Sequence, residues 1–268
     1  SELLVGVSGA DCSGSGLVRY ARETGLMGEY ALELLARARP LAAAEPLRSV
    51  LLWEMVRAEP NLRLFLNTYA RDVTKTAEGR IGSVRAWQTT TEREYEFAAR
   101  IFIDCTGHGT LGAGAGAEFR MGREGRAEFN ESLAPPQPDA GTMGDTILFW
   151  ARDVGQPAPY VPPAWAARFP RDEDLPFRHP SRIPPGLKEL HGYWWIEYGG
   201  VRHTIEDAEE IRDELLRIVY GVWDHIKNRG DHGAENFALV RTTLLPSRRE
   251  SRRLMGDYLV TEHDVRAR

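Results

Sequence analysis

The sequence predicts an α/β fold, in which a layered sheet carries an antiparallel hairpin insertion and a second, mixed α+β region follows. Three observations lead to this prediction. Apolar residues within 44–59 recur mostly at gaps of three or four, which gives one face of a helix. Over residues 62–66 leucines alternate with other residues, which is typical of a strand. The apolar run 101–103 is typical of a short buried strand, and a glycine-rich turn follows it.

The remaining elements follow from the same patterns. Residues 19–39 are rich in Ala, Leu, Glu and Arg and predict a helix that is interrupted near Gly25 and Gly28. Residues 71–90 predict a hairpin with its turn at Gly79. Residues 193–198 predict an aromatic strand, and residues 206–228 predict a long helix.

Composition excludes several classes of protein. The formal net charge is −5 and the charges are intermixed, so no nucleic-acid partner is expected. No stretch approaches the roughly 18 uncharged apolar residues of a membrane span, so no membrane partner is expected either. Cys12 and Cys105 are the only cysteines, which excludes a disulfide framework and an iron–sulfur cluster held by four cysteines of this chain. Cys105 has no nearby cysteine and is expected to be a small buried residue.

The two ends of the chain predict a fragment. The sequence begins at Ser1 without Met and stops at Arg268 without an obvious finishing element. No secretory signal is visible, so we expect a soluble, cytoplasmic protein. We also expect the chain to be the interior of a longer one, with an incomplete fold.

The sharpest local motif is G-x-G-x-x-G at residues 107–112, directly after the apolar run. Glycines let the backbone approach a pyrophosphate, and the N-terminus of a following helix favours negative charge. The acidic residue that should end a second strand about 20 residues later is missing, because the sequence around Glu128 predicts a charged helix. Three interpretations remain: a first dinucleotide fingerprint, a later glycine turn lining a nucleotide site, or a plain tight turn. The context favours the second.

Two histidines are candidates for metal ligands. His225 and His232 are seven residues apart, with Asp224, Asp231 and Glu235 nearby. This spacing matches no established zinc motif, so the sequence predicts no metal site. The alternatives are histidines that cap or hydrogen-bond at a helix end, and a His232 that faces a substrate.

Four arginines crowd one short segment, Arg248, Arg249, Arg252 and Arg253, with Glu250 among them. The planar guanidinium suits a carboxylate or a phosphate. The same segment equally suits a solvated charged face or internal ion pairs. The pattern alone leaves both interpretations open.

Several segments together carry a resemblance to a known family. They are residues 64–68, 102–109, 116–124, 131–135, 193–197, 210–216, 223–228 and 249–258. These segments resemble FAD-dependent oxidoreductases with the glutathione-reductase-type FAD fold, and more closely the family related to the heterodisulfide reductase A-type subunit. The resemblance covers most of residues 44–265. It implies an FAD/NAD(P)-binding-type layered sheet.

The resemblance also implies a division of the chain. Residues 1–122 would form a partial FAD-binding domain that lacks the first strand and its G-x-G-x-x-G unit. Residues 123–240 would form a substrate or cap region. Residues 241–268 would return toward the FAD-binding domain.

The resemblance implies FAD as the cofactor and hydride transfer between flavin and an unidentified small-molecule substrate. An electron-transfer partner is a further expectation. The implied FAD-binding residues are Ala70, Thr106, Gly107, His108, Gly109 and Gly112. His232, Arg248 and Arg252 are candidates for positions near the substrate or flavin. No catalytic acid or base can be named from the sequence.

A function of another class is a non-catalytic module that binds carbohydrate or a protein partner. It would use Trp194, Trp195 and Tyr198 on the predicted aromatic strand, because aromatic faces stack on sugars. Alternate aromatic residues on a strand more often belong to a core.

Overall fold

The computed structural model describes residues 25–37, 44–175, 182–191 and 193–267. These residues form two units, one within Ser1–Ala117 and one within Glu118–Arg268. Helices and small antiparallel sheets occur in both, which confirms the predicted mixture of α and β structure. Every paired strand among the described residues is antiparallel, so the layered sheet stays a prediction.

The described part of the first unit starts with two helices, α1 (Leu26–Arg37) and α2 (Ala44–Ala58). They pack on each other through buried Tyr30, Leu34 and Leu51. Both helices were predicted from the sequence, but α1 continues through Gly28, where an interruption was predicted. Residues 19–24 and 38–39 of the first prediction lie outside the described residues.

An antiparallel sheet follows, with strands β1 (Thr68–Lys75), β2 (Ile81–Gln88) and β3 (Arg93–Ala98) in that order. The first two strands are the predicted hairpin, and Gly79 adopts a φ of 80° in its turn. A left-handed φ is natural for glycine and costly for other residues, which explains this residue in the turn.

Two predicted strands of the first unit are wrong. Residues 62–66 and 101–103 belong to no strand, and Ile101 and Ile103 are each 80% exposed. Neither segment finds a hydrogen-bonding neighbour strand within the described part of the chain. Cys105 is exposed as well, which corrects the buried position expected for it. Short apolar runs indicate burial only where a second strand is present to pair with them.

The glycine-rich turn leads into a short helix, α3 (Thr110–Gly114), which contacts β1. The Lys75 ammonium donates to the Ala115 carbonyl at 2.8 Å. The turn is therefore fastened to the end of a strand within its own unit.

The second unit is built on the long helix α5 (Ala208–Asp224) and on the sheet β7 (Glu189–His191), β6 (Phe149–Asp153), β9 (Phe237–Thr242). The helix ends in one turn of π-helix at His225–Arg229. Buried apolar residues of the helix recur at gaps of three and four and face one core. That core includes Phe149, Ile211, Leu215, Val219, Val222 and Trp223.

Shorter elements complete the second unit. Two antiparallel pairs join β4 (Phe119–Arg120) with β10 (Arg253–Leu254), and β5 (Asp145–Thr146) with β8 (Glu197–Tyr198). The helices α4 (Arg126–Phe129) and α6 (Glu262–Arg266) and a 3-10 turn at Asp172–Asp174 lie in the connections.

The predicted aromatic strand at 193–198 is mostly wrong. Only the last two residues, β8, are paired, and Trp194 and Trp195 lie in a turn. Tyr193 stacks on Phe149 with ring centroids 5.0 Å apart, so part of this segment joins the core instead of extending a sheet. Among the described residues, the structure contains no helix that is long and apolar enough to cross a membrane.

Candidate functional site

The first candidate site is the glycine-rich turn of the first unit, which the Asp104 carboxylate organises. Its Oδ1 accepts hydrogen bonds from the Thr106 amide at 3.0 Å and the Thr106 hydroxyl at 2.7 Å. Its Oδ2 accepts from the Gly112 amide at 2.9 Å. Thr106 Oγ1 in turn accepts from the Thr110 amide at 2.8 Å. One carboxylate thus holds both ends of the turn, and the backbone between them is fixed.

The ionisation of Asp104 follows from these contacts. Partial burial opposes the charge and would raise the pKa of Asp104 by itself. The hydrogen bonds from Gly112 and Thr106 outweigh that effect and lower the pKa of this carboxyl. The charged form is therefore favoured, and its oxygens are engaged within the turn.

The backbone inside the turn is open. Gly107 and Gly109 have left-handed φ angles of 81° and 60°. A Cβ added to Gly107 would meet no atom within 4 Å, so another molecule can approach the backbone closely there. The amides of Gly107 and Gly109 donate to no acceptor among the described residues. Such amides can bind the oxygens of a phosphate or hydroxyl group.

The other predicted residues of this site lie around the turn or on β1. Thr106 is exposed and His108 is half-buried. Ala70 is half-buried on β1, where it pairs with Ala86. The contact between α3 and that strand involves Val73, which lies farther along it.

The second candidate site lies in the second unit, around the buried Asp145. This carboxylate is 0% exposed, and neither of its oxygens has a hydrogen-bond partner among the described residues. Arg248 Nε lies 3.8 Å from Asp145 Oδ2. Burial raises the pKa of Asp145 to about 6, against the opposing charges of Arg248 and Arg249, and the carboxylate of Glu197 adds to the rise.

Arg249 is held from several sides. Its Nη1 donates to Glu197 Oε2 at 2.7 Å, and its Nη2 donates to Thr146 Oγ1 and to the Trp194 carbonyl, both at 2.6 Å. Its guanidinium lies 5.6 Å from the centre of the Trp194 ring. A guanidinium fixed in this way is a preorganised positive charge.

The remaining arginines of the segment lie beside β4. The Arg252 guanidinium lies 5.3 Å from the centre of the Phe119 ring. Arg253 donates to the Gly122 carbonyl at 2.7 Å and to Glu124 Oε1 at 2.6 Å. The four arginines that are crowded in sequence therefore form two groups, one at Asp145 and one at β4.

A cavity of about 520 Å³ lies in the second unit, a volume suited to a small molecule. Apolar and acidic side chains line it. They include Phe169, Asp174, Leu175, Trp194, Trp195 and Glu197. Glu197 connects the cavity to Arg249, because its carboxylate accepts the Arg249 hydrogen bond.

The structure brings His232 together with residues that the sequence did not associate with a site. His232 is buried, and its Nε2 lies 3.0 Å from His225 Nε2 and 3.7 Å from Asp172 Oδ1. The two histidines lie on different elements, on either side of Gly230.

Comparison with protein families identifies the family of the chain and its cofactor. The family described as FAD dependent oxidoreductase matches residues 11–268. The chain belongs to this family. FAD is accordingly the cofactor of this flavin oxidoreductase, which confirms the cofactor expected from the sequence. Comparisons with curated proteins and with solved structures gave no match.

The glycine-rich turn of this FAD dependent oxidoreductase fits such a cofactor in one respect that the structure shows. FAD carries pyrophosphate oxygens and ribityl hydroxyls, which need backbone donors and close approach. The space beside Gly107 is open, and the amides of Gly107 and Gly109 are available as donors. The residues present are thus compatible with a part of FAD at the turn.

Sequence reasoning missed three acidic residues of the oxidoreductase. Asp104 stands two positions before Thr106, a spacing typical of a turn closed by an Asp side chain, so this signal was available. Asp145 stands two positions before the apolar run 147–149 and could be recognised only as a strand-end residue. Asp172 lies 53 residues before His225, and nothing in the spacing associates the two.

Proposed function

We propose that this chain is part of a flavin oxidoreductase that transfers a hydride between a small-molecule substrate and FAD. The observation that carries the proposal is the open backbone of the turn at 106–112, held by Asp104, in a chain of the FAD dependent oxidoreductase family. FAD supplies the redox chemistry when it is bound. The protein contributes binding, orientation and charge.

The proposed cofactor site consists of the turn and one residue of β1. The amides of Gly107 and Gly109 would donate to FAD oxygens, while Asp104 keeps the turn in shape. The remaining proposed contacts are Ala70, Thr106, His108 and Gly112. The same proposal includes a layered FAD-binding sheet, to which residues 1–122 of this chain would belong.

The proposed substrate site is the cavity of the second unit, within the region 123–240. Its aromatic wall at Trp194 and Trp195 would bury an apolar part of the substrate. Arg248 and Arg252 are proposed to supply positive charge near the substrate or the reduced flavin, with residues 241–268 bringing them there.

The aromatic-strand module is not supported as an alternative. Its premise was a strand that presents Trp194, Trp195 and Tyr198 on its faces, and the two tryptophans lie in a turn. The ring of Trp195 packs edge-on against Tyr193 at 5.3 Å.

A relation to the heterodisulfide reductase A-type subunit is a further part of the proposal, together with an electron-transfer partner. It is supported by the sequence segments that resemble that family.

The test compares two glycines with the same backbone conformation. Gly107 and Gly79 both have a φ near 80° and open space where a Cβ would go, so an alanine strains either turn about equally. We expect Gly107→Ala to weaken FAD binding at least about tenfold, because the added methyl group would keep FAD from approaching the backbone closely. A tenfold loss of affinity corresponds to about 1.4 kcal/mol of binding free energy. Gly79→Ala should leave the affinity unchanged. Calorimetric titration with FAD measures both.

Equal FAD affinities for the two variants would contradict the assignment of the turn. Circular dichroism of both variants serves as the control for folding.

A further inference from the structure

We propose that Asp172, His225 and His232 form a binding site for one divalent transition-metal ion, with Zn²⁺ as the best match to the donor atoms. This site is independent of the proposed FAD site. It joins three elements of the second unit: the 3-10 turn at Asp172–Asp174, the π-helical turn at His225–Arg229, and the loop after Gly230. π-helical turns often occur at functional positions.

The three donor atoms converge. The three atoms form a triangle. His225 Nε2 lies 2.9 Å from Asp172 Oδ1 and 3.0 Å from His232 Nε2, and His232 Nε2 lies 3.7 Å from Asp172 Oδ1. A circle through points with these separations has a radius of about 1.9 Å. Zinc–nitrogen and zinc–oxygen bonds are about 2.0–2.2 Å long, so an ion would lie just off the plane of the three atoms.

The hydrogen bond of His225 Nδ1 leaves its Nε2 available to a metal ion. Its Nδ1 lies 2.8 Å from the Phe169 carbonyl oxygen, which can only accept, so Nδ1 carries a hydrogen and donates it. In the neutral ring Nε2 then presents a lone pair toward the other two donor atoms. Metal-binding histidines typically donate their second ring N–H to a carbonyl or carboxylate in this way.

His225 Nε2 and Asp172 Oδ1 are two acceptor atoms only 2.9 Å apart, and they repel one another unless a proton or a cation lies between them. A single proton can be shared along only one side of the triangle at a time, whereas a cation is attracted to all three atoms. The two histidines are 1% and 5% exposed, so water does little to relieve the repulsion. The Asp172 side chain is 47% exposed, which gives an ion a way in.

The surrounding backbone fixes the arrangement before any ion binds. Gly230 lets the His232 ring lie against the chain, because a Cβ there would overlap the ring. The Ile183 amide donates to the His232 carbonyl at 2.8 Å. The Lys227 ammonium donates to the Ala234 carbonyl at 2.6 Å.

Two nitrogens and one carboxylate oxygen are the donor set that Zn²⁺ and similar first-row ions prefer.

The site also braces the wall of the cavity. Phe169, whose carbonyl binds His225, lines the cavity together with Asp174 and Leu175, which follow Asp172 in the chain. A bound ion would fasten this wall to the end of α5. We therefore expect the ion to raise the melting temperature by several degrees.

The experiment uses the whole chain, freed of metal by a chelator and titrated with ZnCl₂ by calorimetry. We expect one Zn²⁺ per chain in the unmodified protein and in His191→Ala, where an exposed histidine is removed as a matched control. Asp172→Asn and His232→Ala should bind Zn²⁺ at least about 100-fold more weakly, because even residues behind the ligands typically contribute 10–100-fold. Absorption after CoCl₂ addition reports whether nitrogen ligands surround the ion.

Absence of a saturable site in the unmodified protein would overturn the proposal, and so would unchanged Zn²⁺ affinity in Asp172→Asn. Asp172→Asn keeps the shape of a half-exposed side chain. It therefore decides the matter if His232→Ala does not fold.

Discussion

At the scale of single residues, the pKa values of two aspartates shift in opposite directions because their surroundings differ. Hydrogen bonds from the turn outweigh burial at Asp104 and lower its pKa. Burial without hydrogen-bond partners among the described residues dominates at Asp145 and raises its pKa to about 6. The surroundings of Asp104 therefore favour the charged carboxylate, whereas those of Asp145 favour the neutral acid.

Asp145 makes the stability of the protein depend on pH. Its folded pKa is raised, so its contribution to stability is full below pH about 4 and is lost as the pH rises through about 6. The difference corresponds to about 3 kcal/mol of unfolding free energy. Asp145→Asn removes the titration, so we expect this variant to match the unmodified protein near pH 4 and to exceed its stability by up to about 3 kcal/mol at pH 7.5.

Denaturant unfolding at the two pH values measures this difference. Asp231→Asn, at a largely exposed aspartate paired with Arg182, is the control and should change the unfolding free energy by less than about 1 kcal/mol. A stability difference for Asp145→Asn that stays constant between the two pH values would disprove the assignment.

Asp104 should stabilise the glycine-rich turn. Its hydrogen bonds involve a charged acceptor, so we expect Asp104→Ala to lower the unfolding free energy by about 2 kcal/mol at pH 7. Because the pKa is lowered, this stabilisation is present above pH about 4 and is lost as the pH falls further. Asp72→Ala, at an exposed carboxylate paired with Arg85, should cost less than about 0.5 kcal/mol. Equal losses in the two variants by urea denaturation would be the contrary result.

At the scale of elements, the sequence predicted the helices and strands whose residues follow a repeating pattern of their own. The helices α2 and α5 and the hairpin of β1 and β2 were predicted because each carries a repeating pattern of its own. The apolar run 101–103 and the aromatic segment 193–198 were predicted as strands and are not. A strand needs a partner that the local sequence does not specify.

The candidate site was predictable to the same extent. The turn at Gly107 and Gly109 was predicted because glycine spacing encodes a backbone conformation directly, and both residues have the left-handed φ expected of such a turn. Asp145 and Asp172 were not found, because their importance comes from neighbours distant in the chain, Arg248 and His225. Sequence spacing reveals sites within one element and misses sites assembled from several.

Helix α5 contains a glycine whose role is steric. A Cβ at Gly221 would overlap the Ala167 carbonyl oxygen, and the Ala167 amide donates to the Arg217 carbonyl. Alanine favours helices, yet we expect Gly221→Ala to destabilise the protein by about 2 kcal/mol through overpacking. Gly114→Ala is the control, since its Cβ would make an ordinary contact at 3.4 Å. Thermal unfolding distinguishes the two, and a more stable Gly221→Ala would show that the contact is unimportant.

At the scale of the whole molecule, the chain is a member of the FAD dependent oxidoreductase family with two structural units. The first contains the turn proposed for FAD. The second contains the cavity, the buried aspartate and the proposed metal site. The proposed function thus assigns cofactor binding and substrate binding to different units.

Hydrogen exchange measured by mass spectrometry, with and without FAD, tests the central claim most directly. The account predicts that saturating FAD slows exchange at the amides of residues 107–112, including those of Gly107 and Gly109. Unchanged exchange across this turn at saturating FAD, whether or not other segments are protected, would contradict it.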